Sequence, residues 1–583
     1  MNKNAVAAIL EEMGSLLELQ GANPFKARAF YAAARTIEGL TRDLQAVVES
    51  GEIADQKGIG KSIAAIVTEL VTTGKSREHA ELRAAVPGTL LEMLKIQGMG
   101  PKKAKILYEK LRIKSVDELE KAARAGRLAT LEGFGQKTQE NILRGIESYR
   151  TSSGRSLYPA AAEAGEAVLA SLRALKEVQR SELAGSLRRK KEVIGDVDIV
   201  LSARDTHRAR IMEAFVTHPR VERVVARGET KSSVMLAGGI ACDLRIVTDE
   251  EYPFALHYFT GSKEHNVAMR SRALRFGWSL NEYGFSKAAG GEKRGKARRI
   301  VRCASEADIY AALELAFIPP ELRENSGELE AAGEDALPEL VQEKDIRGTF
   351  HCHTDYSDGV NTLEEMVEAA QARGWRYLGI GDHSKGAAYA GGLSAERVRE
   401  QCKHIDRLNA SLKNFTVFKG TECDILPSGE LDWPDRVLAS FDYVVISVHS
   451  SFKMSEADMT RRIIRALKNR YVTMLGHPTG RLLLSREAYP VDMVKVIDAA
   501  ADYGKMIEIN AHPLRLDLDW RLVRYAREKK VLVPINPDAH TTDGLADVRY
   551  GVGIAQKGWL RKGDVPNTRS AAEVTELFAS IRS

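Results

Sequence analysis

The spacing of apolar residues changes character along the chain. Through about residue 150 they recur at helical intervals in alanine- and leucine-rich stretches, as in MNKNAVAAILEEMGSLLELQ at the start and NPFKARAFYAAARTI at 23–37. This predicts amphipathic helices. At 195–200 the pattern turns to alternation: GDVDIV sets Val197, Ile199 and Val200 against Asp196 and Asp198, which predicts a strand with both carboxylates on one face. From 347 onward, short apolar runs alternate with helix-like segments and end on histidines or acids, the order of a βα-barrel. Between these regions, RENSGELEAAGEDALPELVQEKD (323–345) is polar, acidic and poor in aromatics, and it reads as a linker or a surface excursion.

Length and composition narrow the classes. A chain of 583 residues exceeds one hydrophobic core, so several domains are expected. A net charge of +5 is too small for bulk charge to mark a nucleic-acid binder; local clusters must do so. Five scattered cysteines without CxxC spacing exclude a disulfide framework and a cysteine-rich zinc site and suit a reducing compartment. Neither a secretory leader nor an apolar run of membrane-spanning length is visible, so a cytoplasmic protein is expected, with no membrane partner.

Three segments of the helical region share a glycine–apolar–glycine signature: KGIGKSIA, QGMGPKKA and EGFGQKTQ, with Gly58 and Gly60, Gly98 and Gly100, and Gly133 and Gly135. Each joins two helical stretches. Such a turn aims free backbone N–H groups outward, where a phosphate can sit, and Lys61, Lys102, Lys103 and Lys137 add positive charge. Three copies predict helix-hairpin-helix contacts to the DNA backbone, independent of base sequence.

Asp196 and Asp198 gain a third carboxylate from Asp243 in ACDLRIV. Three strand-borne acids are expected to gather a pair of Mg²⁺ or Mn²⁺ ions, one at an attacking hydroxyl and one at triphosphate oxygens. Upstream, Gly185 and Ser186 precede Arg188, Arg189, Lys190 and Lys191, a turn suited to phosphate. YFTGSKEHNVAMR (258–270) offers aromatic and polar groups for a sugar and base.

AGSLRRKKEVIGDVDIV, YFTGS and LNEYG (280–284) resemble the family X DNA polymerases, the DNA polymerase beta class. The resemblance covers residues 1 to about 320. It implies that Asp196, Asp198 and Asp243 bind the catalytic metals, with Asp243 also the general base. Gly185, Ser186 and Arg189 would meet the triphosphate; Tyr258, Phe259, Gly261, Asn266, Glu282 and Tyr283 would lie near the nucleotide or template. Lys263 stands where an acid is usual, within reach of the incoming phosphates. The lyase lysine of some members is replaced by Ile66, with Ser62 at a helper position and Lys61 and Lys26 nearby, so a deoxyribose-phosphate lyase is not expected.

In the last part, eight of the 13 histidines follow residue 346. His351, His353, Asp358, His383, Glu422, His449, His477, Asp538 and His540 fall at or after successive strand-like runs. Ligands at the C-terminal ends of parallel strands converge on one site. Mixed imidazole and carboxylate donors suit roughly two or three Mn²⁺, Zn²⁺ or Fe²⁺ ions and phosphoester hydrolysis. Arg481 is a candidate phosphate contact, and His512 a residue of the cup wall or of its support.

HCHTDYSDG, GDHS and the late DAH resemble the PHP (polymerase and histidinol phosphatase) family. The expected layout is a helical DNA-binding domain (1–85), helix-hairpin-helix fingers (86–150), an α/β nucleotidyltransferase palm (151–248), a thumb (249–320), a linker (321–346) and a distorted (β/α)₇ PHP barrel (347–583). The expected activity is gap-filling DNA synthesis on primer-template DNA with deoxynucleoside triphosphates. A 3′–5′ exonuclease is implied by the resemblance, with abasic-site incision as a further activity. A monomer without a dedicated protein partner is expected. Competing readings are a nuclease whose palm only positions DNA, a DNA-end scaffold with structural metals, and a phosphatase of small esters.

Overall fold

The computed structural model describes the chain except residues 2, 39, 41–43, 57, 95, 97, 98, 132, 153, 289–300, 388 and 389. Contacts divide it into two compact units, Met1–Ser153 and Gly154–Ser583.

The first unit is helical, as its apolar spacing requires. One core gathers Val6, Leu10, Phe30, Ile37, Ile63 and Val67; a second gathers Leu90, Met93, Leu107, Leu119 and Ile146 with Leu16 and Leu19 of the first helix, Lys3–Gln20. The described residues of the three glycine signatures share one geometry. Ile59, Met99 and Phe134, the middle residues, are buried. Each donates its N–H to the carbonyl three residues back, at 3.0, 2.9 and 3.0 Å. The helices Lys61–Thr73, Pro101–Leu111 and Gln136–Ser152 then start at once. Gly58 and Gly133 have φ of 86° and 82°, a region that disfavours side chains; Gly98 lies outside the described residues. Ile66, at the family's lysine position, is a core residue.

In the second unit, a five-stranded sheet runs in the order Arg180–Leu183, Asp196–Ser202, Ile240–Val247, Lys231–Leu236, Val221–Arg227. Its central pair is parallel and the others antiparallel. Helices Tyr158–Arg173 and Arg208–Val216 share its core through Val168, Leu172, Ile211 and Phe215. Helices Tyr252–Thr260 and Lys263–Arg275 and the hairpin Trp278–Asn281 with Gly284–Lys287 follow.

Residues 321–346 are anchored at intervals into two cores, with exposed stretches such as 333–336 and 342–344 between, which corrects the expectation of a free linker. Leu322, Leu329, Ala332 and Leu340 enter the thumb core, and Val341 and Ile346 the barrel core. Arg323 and Glu328 are fully buried. Burial is tolerated because each is paired: Arg323 with Glu306, and Glu328 with His265 Nδ1 at 2.7 Å and the N–H groups of Asn325 and Ser326. Composition shows the charges and hides these partners.

The rest is a barrel. Gly348–Cys352, Tyr377–Ile380 and Thr416–Lys419 pair in parallel, as do Glu422–Asp424, Val445–Ser447, Met474–Leu475 and Met506–Ile507, and Ile509–Asn510 with Ile535–Asn536. Parallel bridges His383–Glu422 and Cys352–Ala539 tie the short sheets into a ring. Helices such as Leu363–Ala372, Ala395–Ser411, Glu456–Leu467 and Trp520–Glu528 alternate with the strands. Phe350, Tyr377, Phe418, Tyr443 and Phe578 form an aromatic cluster beneath the site. Among the described residues no helix is long and apolar enough to cross a membrane.

Candidate functional sites

The palm site sits on the central parallel pair of strands. Asp198 lies directly opposite Asp243, and Asp196 is two residues before it on the same face, while Val197 and Ile199 point into the core. Burial, then the charges of Asp196 and Asp243, push the Asp198 carboxyl up to about 7. Asp196 is raised by burial and by Asp243. Lys231, from the neighbouring strand, places Nζ 2.6 Å from Asp243 Oδ2; the sequence reading did not include it. Gly185 has φ of 60°, and a Cβ there would lie 2.0 Å from Asp198 Oδ2. A side chain at this turn would strike the central acid.

Two arginines bind this turn to the thumb. Arg188 donates to Thr260 Oγ1 at 2.7 Å and pairs with Glu306. Arg189 is buried; Nε donates to Glu324 Oε1 at 3.0 Å and a terminal nitrogen to the Thr260 carbonyl at 2.8 Å. Asn266 donates to the carbonyls of Tyr258 and Gly261 at 2.7 and 3.3 Å and so holds the YFTGS turn. Ser186 and Glu282 are partly exposed, and Lys263 and Tyr283 exposed. Tyr258 and Phe259 stand edge to face at 5.2 Å.

The barrel site brings all nine of its expected residues into four overlapping groups, each with ligand atoms within 4.8 Å of one another. These are His353, Asp358, His383 and His540; His351, His353 and Asp538; His351, Glu422 and His477; and His383, Glu422 and His449. The palm acids do not form such a group, and Lys231 sits against one of them. Glu422 is the centre: its oxygens lie 2.7 Å from His477 Nε2, 3.3 Å from the Nε2 atoms of His351 and His449, and 3.0 Å from His383 Nδ1. Asp358 and His540, 30% and 36% exposed, mark the mouth.

Several features fit these residues to cations. His351 Nε2 and both ring nitrogens of His353 are buried and make no hydrogen bond of good geometry, although carboxylates of Glu422 and Asp538 stand 3.3 and 3.2 Å from the two Nε2 atoms; such a set is costly unless a ligand completes it. The opposite nitrogens are fixed from behind: His351 Nδ1 by Glu508 at 2.9 Å, His449 Nδ1 by Asp424 at 2.7 Å and His540 Nδ1 by the Asp538 carbonyl at 2.9 Å. This is how metal-binding imidazoles are oriented. His351, His477 and Asp538 hold positive φ of 57°, 21° and 53°, strain that costs on the order of 1–3 kcal/mol each and gathers at functional sites. Burial alone would raise the Glu422 carboxyl, yet His449, His351 and His383 hold it well below its usual range. The centre therefore keeps a buried negative charge.

Glu508 and Arg515 escaped the sequence reading, whereas Asp382 and Asp424 belong to its strand-end pattern but not to its ligand set. Glu508, fully buried, holds His351 and accepts from the His477 N–H at 2.6 Å. Asp424 and Asp382 stand out as acids at strand ends, but as props rather than ligands; Asp382 accepts from Thr354 N–H and Oγ1 at 2.8 and 2.7 Å. Arg515 is the arginine at the cup, with Nε 3.4 Å from Asp538 Oδ2. Arg481, expected there, instead donates to the Arg515 and Leu516 carbonyls and pairs with Asp519 at 3.0 Å. Its donors hold the loop that carries Arg515. His512 Nδ1 accepts from Leu514 N–H at 3.2 Å, a supporting role.

Matches to known families cover both halves: a helix-hairpin-helix domain at 1–76, a SAM-like helix-hairpin-helix tandem at 90–148, the DNA polymerase beta thumb at 255–324 and the PHP domain at 349–512. The chain is 37% identical over 576 residues to the DNA polymerase/3′-5′ exonuclease PolX of Bacillus subtilis, covering 98% of this chain and 99% of that protein. The barrel alone is similar to proteins named as probable phosphatases. One, from Thermoanaerobacter, is 28% identical over 37% of this chain and 89% of its own length; another, from Caldicellulosiruptor bescii, is 35% identical over 27% and 63%. The chain belongs to the family X DNA polymerases of the PolX type: a DNA polymerase and a PHP metal-dependent hydrolase on one polypeptide.

Proposed function

We propose that this enzyme fills short gaps during DNA repair and that its barrel trims the 3′ end of the strand being extended. In this reading Asp196, Asp198 and Asp243 hold two Mg²⁺ or Mn²⁺ ions, and Asp243 takes the proton of the primer hydroxyl. Arg189 and the Gly185–Ser186 turn meet the triphosphate, Lys263 adds charge beside it, and the 258–266 and 282–283 segments frame the sugar, base and template. The glycine hairpins hold the DNA backbone.

The nine barrel residues hold Mn²⁺, Zn²⁺ or Fe²⁺. Ions bound there supply Lewis acidity toward phosphate oxygens. The protein's own part is to orient each imidazole from behind, to leave the Asp358–His540 mouth open to a strand end, and to set Arg515 where a phosphate can be neutralised. Abasic-site incision is a further use of the same chemistry. The observation that carries the reading is the complete barrel ligand set, with buried ring nitrogens that face carboxylates without a well-formed hydrogen bond, in a chain similar from end to end to a named polymerase and 3′–5′ exonuclease.

The test is a 5′-labelled primer on gapped DNA with Mn²⁺ and no nucleotides, run beside p-nitrophenyl phosphate. Stepwise shortening of the labelled strand, lost in His353→Ala, is the expected result. Release of nitrophenol without any shortening favours the small-ester phosphatase reading, for which the relatives of the barrel are the argument.

A further inference from the structure

The two halves meet through a buried charge relay that neither site explains. Lys557 ends the helix Val548–Lys557 of the barrel and is 1% exposed. Its ammonium donates to Glu324 Oε1 at 2.7 Å, to the Arg189 carbonyl at 3.0 Å and to the Glu321 carbonyl at 3.4 Å, and lies 4.6 Å from the Trp520 ring centre. Glu324 is the carboxylate that also accepts from Arg189 Nε, and Lys191 Nζ stands 3.7 Å from its other oxygen. Around one carboxylate the chain thus gathers Arg189 and Lys191 of the palm and Lys557 of the barrel. Burial would raise the Glu324 carboxyl, but Lys557 and Arg189 hold it below its ordinary value.

The same barrel helix lies along the palm turn. A Cβ at Gly553 would meet Lys190 Cβ at 3.3 Å, and Tyr550 stands edge to face with Tyr158 at 5.8 Å. On its other side Gly551 is so close to Ala511 and Ile535, beside the cup, that a Cβ would overlap both. A buried lysine is rarely kept without a paired role. Here it grips both the side-chain partner and the backbone of one residue, Arg189.

We propose that Lys557 is a positioning residue for nucleotide incorporation: through Glu324 and the Arg189 carbonyl, the barrel fixes the arginine-bearing turn that meets the incoming triphosphate. The proposal rests on reading Arg189 as a triphosphate contact. It makes the barrel a structural part of the polymerase site, independent of the barrel's own hydrolysis.

The experiment is steady-state single-nucleotide gap filling by the full chain. Lys557→Met is expected to raise KM for the nucleotide about tenfold, or about 1.4 kcal/mol, with kcat changed less than threefold. Nucleotide-free 3′ trimming should stay within twofold of wild type. Lys557→Arg, which keeps the charge, should recover most of the KM. Combined with Glu324→Gln, Lys557→Met should raise KM by clearly less than it does alone, since the Glu324 arm is already cut and only the bond to the Arg189 carbonyl remains to be lost. A soluble Lys557→Met enzyme with wild-type KM, or full additivity with Glu324→Gln, overturns the proposal. Should Lys557→Met not fold, a wild-type KM in Glu324→Gln overturns it equally. Arg189→Ala separates the two layers: if KM does not rise there, the triphosphate reading fails and takes the link with it, whereas a rise in Arg189→Ala alone removes only the link.

Discussion

At Asp198 the palm keeps a carboxyl that its surroundings favour in the protonated form. An acid raised to about 7 in the fold, from about 4 in the unfolded chain, binds more protons folded than unfolded across that window. Stability therefore falls as pH rises from about 4 to about 7 and is level above. Asp198→Asn removes this burden. In EDTA, the palm's melting midpoint in the variant should exceed wild type by several degrees at pH 8 and by clearly less at pH 5, while primer extension is lost. An equal gain at both pH values would contradict the burial argument. This demand was half legible in the chain: alternation put Asp196 and Asp198 on one face, but the collision that restricts Gly185 to hydrogen depends on a contact between a turn and the strand that follows it. Glu508 was hidden for a related reason. Its only local sign is an acid inside the apolar run MIEIN, and its partner His351 lies 157 positions away.

Among the elements, the glycine hairpins show what a motif can and cannot tell. In two of the triplets the first glycine is required by its backbone, as the φ values at Gly58 and Gly133 show. The second is not: Gly60 and Gly100 are extended, at φ −78° and −95°, and a Cβ at Gly60, Gly100 or Gly135 would meet nothing within 4 Å. Neither strain nor internal packing demands glycine there; the space beside each is open, and the proposed phosphate contact at a helix start would use it. Replacing Lys102 and Lys137 together by Ala should weaken binding to gapped DNA regardless of sequence and reduce the slope of log affinity against log salt by about 1–2. An unchanged slope would place those lysines off the DNA. The segment 321–346 is the opposite case. Its composition predicted a solvated tether, yet Arg323, Glu324 and Glu328 are drawn inward and paired while Glu330, Glu334, Asp335 and Glu339 stay exposed, and the partners of the first three sit in the thumb, palm and barrel, outside any local window.

For the whole molecule, the two catalytic centres were the most legible feature, since each is a repeated chemical pattern and not a single residue. All nine barrel residues converge, and Asp198 and Asp243 stand in register. What the chain did not announce is the relay through Glu324 that ties the halves together. It joins residues up to 368 positions apart, and no spacing rule reaches that far. The central claim is that one polypeptide carries two separable metal sites with opposite effects on the same primer end. Its most direct measurement follows a labelled primer on gapped DNA, with and without nucleotides, in Mg²⁺ and Mn²⁺, for Asp196→Ala, His353→Ala and wild type. The account predicts that Asp196→Ala loses extension and keeps trimming, and that His353→Ala keeps extension and loses trimming. If both variants, folded and soluble, lose both activities, the two-site account is wrong.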